Sequence, residues 1–196
     1  MIGLSIAAIT LTVLVATSIV WGTIRTGISP MPSSRRAMDA MLALAPEQVS
    51  GSVYELGSGW GLLAIKLAQR YPDAKVIGIE FSWAPYLVSK CVGYLMGGKN
   101  LTFQRADFRD VPLSSPALVV CYLYPEGMAQ LSPILAGKLP SGSMVISNTF
   151  RLPGWTPHAV TELPDLYRTQ IYRYCVPTGL PTPLNSADDV RADNAT

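Results

Sequence analysis

Charged residues are scarce in this sequence of 196 residues, and their distribution excludes several classes of protein. Only 14% of the residues are charged, against about 25% in an average soluble domain. The net charge is +2 and no block of lysines and arginines occurs, so we expect no nucleic-acid partner. One histidine and no CxxC pair predict no metal site. The three cysteines are far apart in the chain and indicate no disulfide framework; we interpret them as small buried hydrophobic residues.

The first 24 residues contain no charged side chain. As a helix, residues 2–24 would span about 34 Å, which is enough for a hydrocarbon core of about 30 Å. A cleaved signal peptide and a buried core helix are the alternatives. The run lacks the basic start of a signal peptide and exceeds its usual apolar length. We therefore predict a transmembrane anchor over residues 1–25, followed by a linker over residues 26–32.

Basic residues follow the apolar run and predict its orientation. Arg25, Arg35 and Arg36 all lie on its C-terminal side. Because cytoplasmic flanks of membrane spans carry an excess of lysine and arginine, we expect a single-pass membrane protein whose catalytic domain faces the cytoplasm. Unpaired cysteines agree with this reducing compartment.

Beyond the linker, segments of strand and helix character alternate. Ser33 or Ser34 can cap a first helix that Pro46 ends. Strands are predicted at 52–56, 75–80, 101–105, 117–122 and 143–147, helices at 60–70, 84–96 and 126–139, and two further extended stretches at 158–163 and 167–176. The alternation predicts an α/β domain over residues 33–176, with a doubly wound, mostly parallel seven-stranded sheet. Residues 177–196 are poor in apolar residues and are predicted to be a disordered tail.

Glycines cluster where the first strand meets its helix, in the run Glu55-Leu56-Gly57-Ser58-Gly59-Trp60-Gly61. Glycine permits a positive φ and a close approach of a ligand to the backbone. A dinucleotide-binding loop would require a third glycine where this chain has Leu62. The pattern here is instead acid-x-G-x-G-x-G, and the acid at position 55 would repel a pyrophosphate.

Two further acids follow the next two strands. Glu80 ends the second strand, and a carboxylate there can accept hydrogen bonds from both hydroxyls of a ribose. Asp107 and Phe108 follow the third strand, where a short acid can meet an adenine amino group. With Glu55 facing a cationic amino-acid end, the three acids suit S-adenosylmethionine better than NAD.

The run from Glu55 to Gly61 resembles motif I of the class I (seven-strand) S-adenosylmethionine-dependent methyltransferases, with the next two acids at motifs II and III. The resemblance covers residues 33–176. The chain is most similar to the membrane-anchored protein-lysine methyltransferases, which include the mitochondrial enzymes that modify the ATP synthase c subunit and the ADP/ATP carrier. Those proteins share an N-terminal apolar span, a linker like Pro32-Ser33 and a later segment like Pro153-Gly154-Trp155.

This resemblance implies a set of functional residues. The cofactor-binding residues would be Glu55, Gly57, Ser58, Gly59, Gly61, Glu80, Asp107 and Phe108. Tyr122, Tyr124 and Pro125 follow the fourth strand, where they either line a slot for an amine or simply pack. The catalytic residue is left unassigned, since a buried lysine loses its proton without a dedicated base.

The resulting hypothesis is an N-methyltransferase that modifies a lysine of a membrane or membrane-associated protein. The alternative enzyme acts on a lipid head group or a small lipophilic molecule, because the same anchor would serve that substrate. A third possibility is a domain that binds the cofactor or a partner without turnover.

Overall fold

The computed structural model of the chain describes residues 33–176 and ten positions between 3 and 20, which are helical and exposed. Within that described part, no helix combines the length and the apolar character needed to cross a membrane. The predicted anchor at 1–25 lies largely outside the described residues, and the linker at 26–32 and the tail at 177–196 lie wholly outside them. These three assignments stay predictions.

Strands and helices alternate through residues 33–176 as the sequence predicts. The strands are β1 (Ser52–Leu56), β2 (Val76–Glu80), β3 (Leu101–Arg105), β4 (Pro116–Cys121), β5 (Met144–Asn148), β6 (Ala159–Glu162) and β7 (Gln170–Cys175). The helices are α1 (Arg35–Leu44), α2 (Leu62–Arg70), α3 (Trp83–Met96) and α4 (Pro125–Lys138). The predicted elements are confirmed, with boundaries displaced by at most three residues.

Local chemistry explains where α1 begins and ends. The hydroxyl of Ser34 accepts a hydrogen bond from the N–H of Ala37 at 3.1 Å, so Ser34 is the N-cap. Ala45 precedes a proline and has an extended backbone (ψ 149°), which ends the helix. Met38 and Met41 are buried and pack the helix onto the sheet.

The seven strands form one sheet in the order β3-β2-β1-β4-β5-β7-β6. The pairs from β3 to β5 are parallel, and β7 is antiparallel to both of its neighbours. The predicted mostly parallel seven-stranded sheet is therefore confirmed. The strand order reverses between β1 and β4, and ligands of such sheets bind beyond the carboxyl ends of the strands at that point.

The two faces of the sheet are covered unequally. Buried residues of α1 and α2, with a partly buried residue of α3, pack against one face, and α4 packs against the other. Although α3 has 14 residues, it buries only Pro85 and Ser89. Most of its surface faces solvent.

The cysteines differ in their environment. Cys121 is buried in β4, and burial raises the pKa of its thiol to about 12. Cys91 and Cys175 are exposed, so the expectation of buried cysteines is wrong at these two positions. Apolar neighbours in the sequence do not predict burial at these two positions. The sheet covers only one side of α3, and Cys175 is the last residue of β7.

Candidate functional site

The glycine-rich loop leaves the carboxyl end of β1 at the point where the strand order reverses. Gly57, Gly59 and Gly61 have φ angles of 77°, 51° and 84°, in the region that favours glycine. A Cβ at Gly57 would lie 2.8 Å from Leu123, whereas one at Gly59 would meet nothing within 4 Å. The loop therefore presents bare backbone to open space at Gly59.

Glu80 holds this loop in place from the end of β2. Its Oε2 accepts a hydrogen bond from the N–H of Gly59 at 2.9 Å, and its Oε1 accepts one from the N–H of Ser82 at 2.7 Å. The side chain is 8% exposed. A carboxylate offers about four acceptor positions, so each oxygen can accept a further hydrogen bond from a ligand.

Glu55 is a buried acid one strand away from Glu80. Burial raises the pKa of Glu55 well above its usual value and the charge of Glu80 adds to the rise, while the backbone N–H of Ala64 opposes both. Its Oε2 and the hydroxyl of Ser58 are buried without a hydrogen-bond partner among the described residues. Such atoms are costly to leave unpaired, and the two lie at the glycine loop, where a ligand with donor groups would satisfy them.

Asp107 lies near this site but is already paired. The backbone N–H of Ala106 bonds to the carbonyl of Glu80, which keeps the end of β3 beside β2. The Oδ1 of Asp107 accepts hydrogen bonds from the Nε and the backbone N–H of Arg109, at 2.8 and 3.0 Å. Burial alone would raise the pKa of Asp107, yet its bonds to Arg109 outweigh that effect and lower it. Phe108 is half-buried against the core.

Aromatic side chains gather at the carboxyl ends of β4 and β5. Tyr122 stacks on Phe150 with ring centroids 6.3 Å apart, and Tyr124 lies 5.7 Å from the same ring. All three are half-buried. Pro125 begins α4 and is exposed. We call Tyr122, Tyr124 and Phe150 the aromatic cluster.

Phe150 was missed by the sequence reading, and a strained turn brings it to the cluster. Thr149 has a φ of 66°, which is uncommon for a β-branched residue. Its N–H donates to the carbonyl of Gln170 at 2.8 Å, and the hydroxyl of Ser147 donates to the carbonyl of Phe150. The available signal was an aromatic residue two positions after β5, similar in placement to those that follow β4.

The linker side of the domain reaches the same end of the sheet. Asn148, the last residue of β5, donates a hydrogen bond from Nδ2 to the hydroxyl of Ser33 at 3.0 Å. His158 instead precedes β6, the edge strand farthest from β3, and is exposed. The structure thus brings together the loop, two acids and the aromatic cluster, and leaves the histidine apart.

Known methyltransferases are similar to this chain in sequence and in fold. A relative at 26% identity over 140 residues is a protein-lysine N-methyltransferase of Saccharolobus islandicus (strain REY15A), and the alignment covers 69% of this chain and 84% of that protein. The structure of an RNA methyltransferase from Salinibacter ruber in complex with S-adenosyl-L-homocysteine has a TM-score of 0.69 and 28% identity, covering 79% of this chain and 99% of the other. A ribosomal protein L11 methylase from Lactobacillus delbrueckii subsp. bulgaricus has a TM-score of 0.59 at 18% identity, covering 72% of this chain and 77% of that one, which shows the fold alone.

The family match covers the part of the chain that builds the site. It runs over residues 55–159, from the acid that precedes the glycine loop to the start of β6, and so includes more than half of the chain. The expectation of a methyltransferase is confirmed by this match: the chain belongs to the ANTKMT methyltransferase domain family.

Proposed function

We propose that this chain transfers methyl groups to a lysine of a membrane or membrane-associated protein. It is an S-adenosylmethionine-dependent methyltransferase, and the proposal concerns its acceptor and its location. The observation that carries it is the aromatic cluster, which lies across the strand-order reversal from the glycine loop.

The residues of the loop fit S-adenosylmethionine. The backbone at Gly59 is open to a ligand, and Glu55 and Ser58 each have a buried oxygen without a partner among the described residues. Glu55 would hold the cationic amino-acid end, and the free acceptor positions of Glu80 would hold the ribose hydroxyls. Bound there, the sulfonium supplies an electrophilic methyl group. Asp107 would need to keep Arg109 while contacting the adenine.

The aromatic cluster suits a lysine side chain. Its rings offer apolar walls to the methylene stem and π-faces to an ammonium or methylammonium group. A lysine desolvated against this cluster would have a lowered pKa and would lose its proton to solvent as it enters. The rings then hold the neutral amine and exclude water. The protein-lysine methyltransferase among the relatives supports this choice of acceptor.

The proposed membrane location rests on residues 2–24 and the arginines that follow them. Ser33, bonded to Asn148, lies at the carboxyl end of β5, which is the end that carries the loop and the aromatic cluster. A single span entering the domain there would hold the site close to a cytoplasmic membrane surface. Anchoring raises the effective concentration of a membrane substrate without adding a contact.

Transfer of a labelled methyl group into a membrane extract tests the proposal. We expect the label in protein, recovered as methyl-lysine after acid hydrolysis. Label that extracts with lipid would instead support the lipid methyltransferase, and label released by ribonuclease would point to RNA. Both of these outcomes contradict a lysine acceptor.

Variants of Phe150 test the aromatic cluster itself. Phe150→Leu removes the ring and should raise the KM for the acceptor while leaving the affinity for S-adenosylhomocysteine unchanged. Phe150→Tyr keeps a ring and is the matched control, with a KM near that of the unaltered chain. Equal KM values for the two variants would exclude the cluster from acceptor binding.

A further inference from the structure

Helix α3 presents an unusual surface for a protein in water. Trp83, Tyr94 and Leu95 are 56%, 91% and 79% exposed. The exposed apolar residues of the helix are Trp83, Leu87, Val88, Cys91, Tyr94, Leu95 and Met96, and we call them the α3 face. Exposed apolar patches of this kind mark sites of interaction. Among the described residues Arg105 contacts this face, at Trp83, and the rest of it stays largely exposed.

Charge around the α3 face has one sign. From residue 81 to residue 106 the sequence contains no acid, and its three charged residues are Lys90, Lys99 and Arg105. Arg105 lies over the ring of Trp83, with the guanidinium carbon 4.0 Å from the ring centroid. Cations beside aliphatic and indole side chains are typical of a helix that lies in the interface of a membrane with anionic lipids.

A groove lies beside the C-terminal end of this helix. It has a volume of about 400 Å³ and is lined by Gly93, Tyr94, Gly97 and Phe103, with Lys90 and Lys99 also in its wall. Two ammonium groups beside a ring and bare backbone provide a cationic site with an apolar wall. An anionic phospholipid combines the same two features in its head group and its chains.

We propose that the α3 face lies on the membrane surface, with anionic phospholipid head groups at Lys90 and Lys99. This inference rests on the proposed membrane location, because it requires a bilayer. It extends that proposal by naming the surface that contacts the lipid. An RNA partner would pair with the lysines but would leave Leu87 and Leu95 exposed to water. A second copy of the chain would bring the lysines of the two copies close together, where they repel each other. Lipid satisfies both the apolar residues and the charges.

The proposal also has a consequence for the site. The N-terminus of α3 follows directly on Ser82, whose N–H bonds to Glu80. A helix resting on the bilayer would therefore place the cofactor-binding edge of the sheet at the membrane surface, within reach of acceptors that barely project from it.

Fluorescent labelling of the full chain in vesicles tests this contact. Cys91 lies within the α3 face and Cys175 is exposed at the end of β7, while Cys121 is buried. Cys175→Ser therefore leaves Cys91 for an environment-sensitive dye, and Cys91→Ser leaves Cys175 as the matched control. The vesicles contain phosphatidylcholine and phosphatidylglycerol, with a lipid that carries a quencher near the head group.

We expect the lipid quencher to reduce the emission of the dye at Cys91, since side chains of an interfacial helix insert about 5–10 Å. The dye at Cys175 should stay accessible to aqueous iodide. Tyr94→Glu with Leu95→Glu should abolish the lipid quenching, whereas Ala129→Glu with Ala136→Glu, at exposed positions of α4 on the other face of the sheet, should not.

Each of the following results would overturn the inference. Quenching by iodide alone would mean that the α3 face stays in water. Shielding from both quenchers would mean that protein or RNA covers it. Equal lipid quenching at the two cysteines would leave this face without special contact. A chain that does not float with the vesicles would refute the proposed membrane location as well, whereas a chain that floats with an unquenched dye refutes the α3 contact only.

Discussion

Glu80→Gln is the substitution that most directly tests the site. The carboxylate of Glu80 accepts one hydrogen bond from Gly59 at 2.9 Å and another from Ser82 at 2.7 Å. Glutamine keeps one acceptor oxygen and turns the other into an NH₂ group, so one N–H loses its partner and the remaining bond loses its charge. A charge-assisted bond contributes about 1.5–3 kcal/mol, which is the expected loss in the free energy of unfolding.

The same change should weaken cofactor binding. If the free acceptor positions of Glu80 hold the ribose hydroxyls, the loss of about 1.5–3 kcal/mol corresponds to a Kd higher by roughly 10- to 150-fold. Titration calorimetry with S-adenosylhomocysteine measures the Kd, and urea denaturation of the unliganded chain measures the stability. NAD should not compete in the calorimetric titration, because this loop has Leu62 where a dinucleotide-binding loop requires its third glycine.

Glu47→Gln is the matched control, since Glu47 is exposed and precedes β1 at the opposite end of the sheet. It removes one negative charge and should change neither quantity. If Glu80→Gln binds S-adenosylhomocysteine as tightly as Glu47→Gln, Glu80 does not contact the ribose. If the two variants are also equally stable, the two backbone hydrogen bonds of Glu80 contribute nothing to the free energy of unfolding.

Three further predictions follow from other parts of the chain. Because the pKa of Glu55 is raised in the folded chain, its contribution to stability is present below the unfolded value of about 4.3 and is lost as the pH rises through the folded value. Denaturation of the unliganded chain at a series of pH values should show this decline, Glu55→Gln should flatten it, and an unchanged slope would show that Glu55 is not its source. Ser34→Ala removes the N-cap of α1 and should lower the free energy of unfolding by about 1 kcal/mol. Ser50→Ala, at an exposed bend, is the control and should not. Equal thermal denaturation curves for the two variants would show that the cap does not stabilise the helix. Deleting residues 1–28 should leave the Kd for S-adenosylhomocysteine unchanged while methylation of native membranes falls sharply and that of a detergent-solubilised target persists. Equal methylation of membranes by the truncated chain would show that proximity is not what the N-terminal segment provides.

Local patterns in the sequence were sufficient for the strands, the helices and the glycine loop. The loop is recognisable because its conformational demand is local: positive φ angles at Gly57, Gly59 and Gly61 require glycine whatever surrounds them. The positions of Glu55 and Glu80 follow from the same reasoning, because parallel strands end at one edge of the sheet. The assignment of Glu80 and Asp107 to particular ligand groups stays a prediction.

The partners of the side chains were not predictable in this way. Arg109 binds Asp107 from only two residues away, yet nothing in the spacing distinguishes that pairing from an arginine in solvent. Phe150 joins Tyr122 across 28 positions of sequence through a turn in which Thr149 has a positive φ. The turn depends on the hydrogen bond from Thr149 to the carbonyl of Gln170, which exists only once β5 and β7 are paired.

The α3 face shows most clearly what the tertiary structure decided. The sequence predicted the helix at 84–96 from its apolar residues, and that prediction is confirmed at Trp83–Met96. The apolar residues of a helix indicate that it favours burial, but they do not indicate which neighbouring elements cover it. The sheet ends at β3, so one side of α3 packs on the domain and the other stays largely exposed. Exposure depends on how many layers the fold places over an element, and that number is fixed by the packing of the whole sheet.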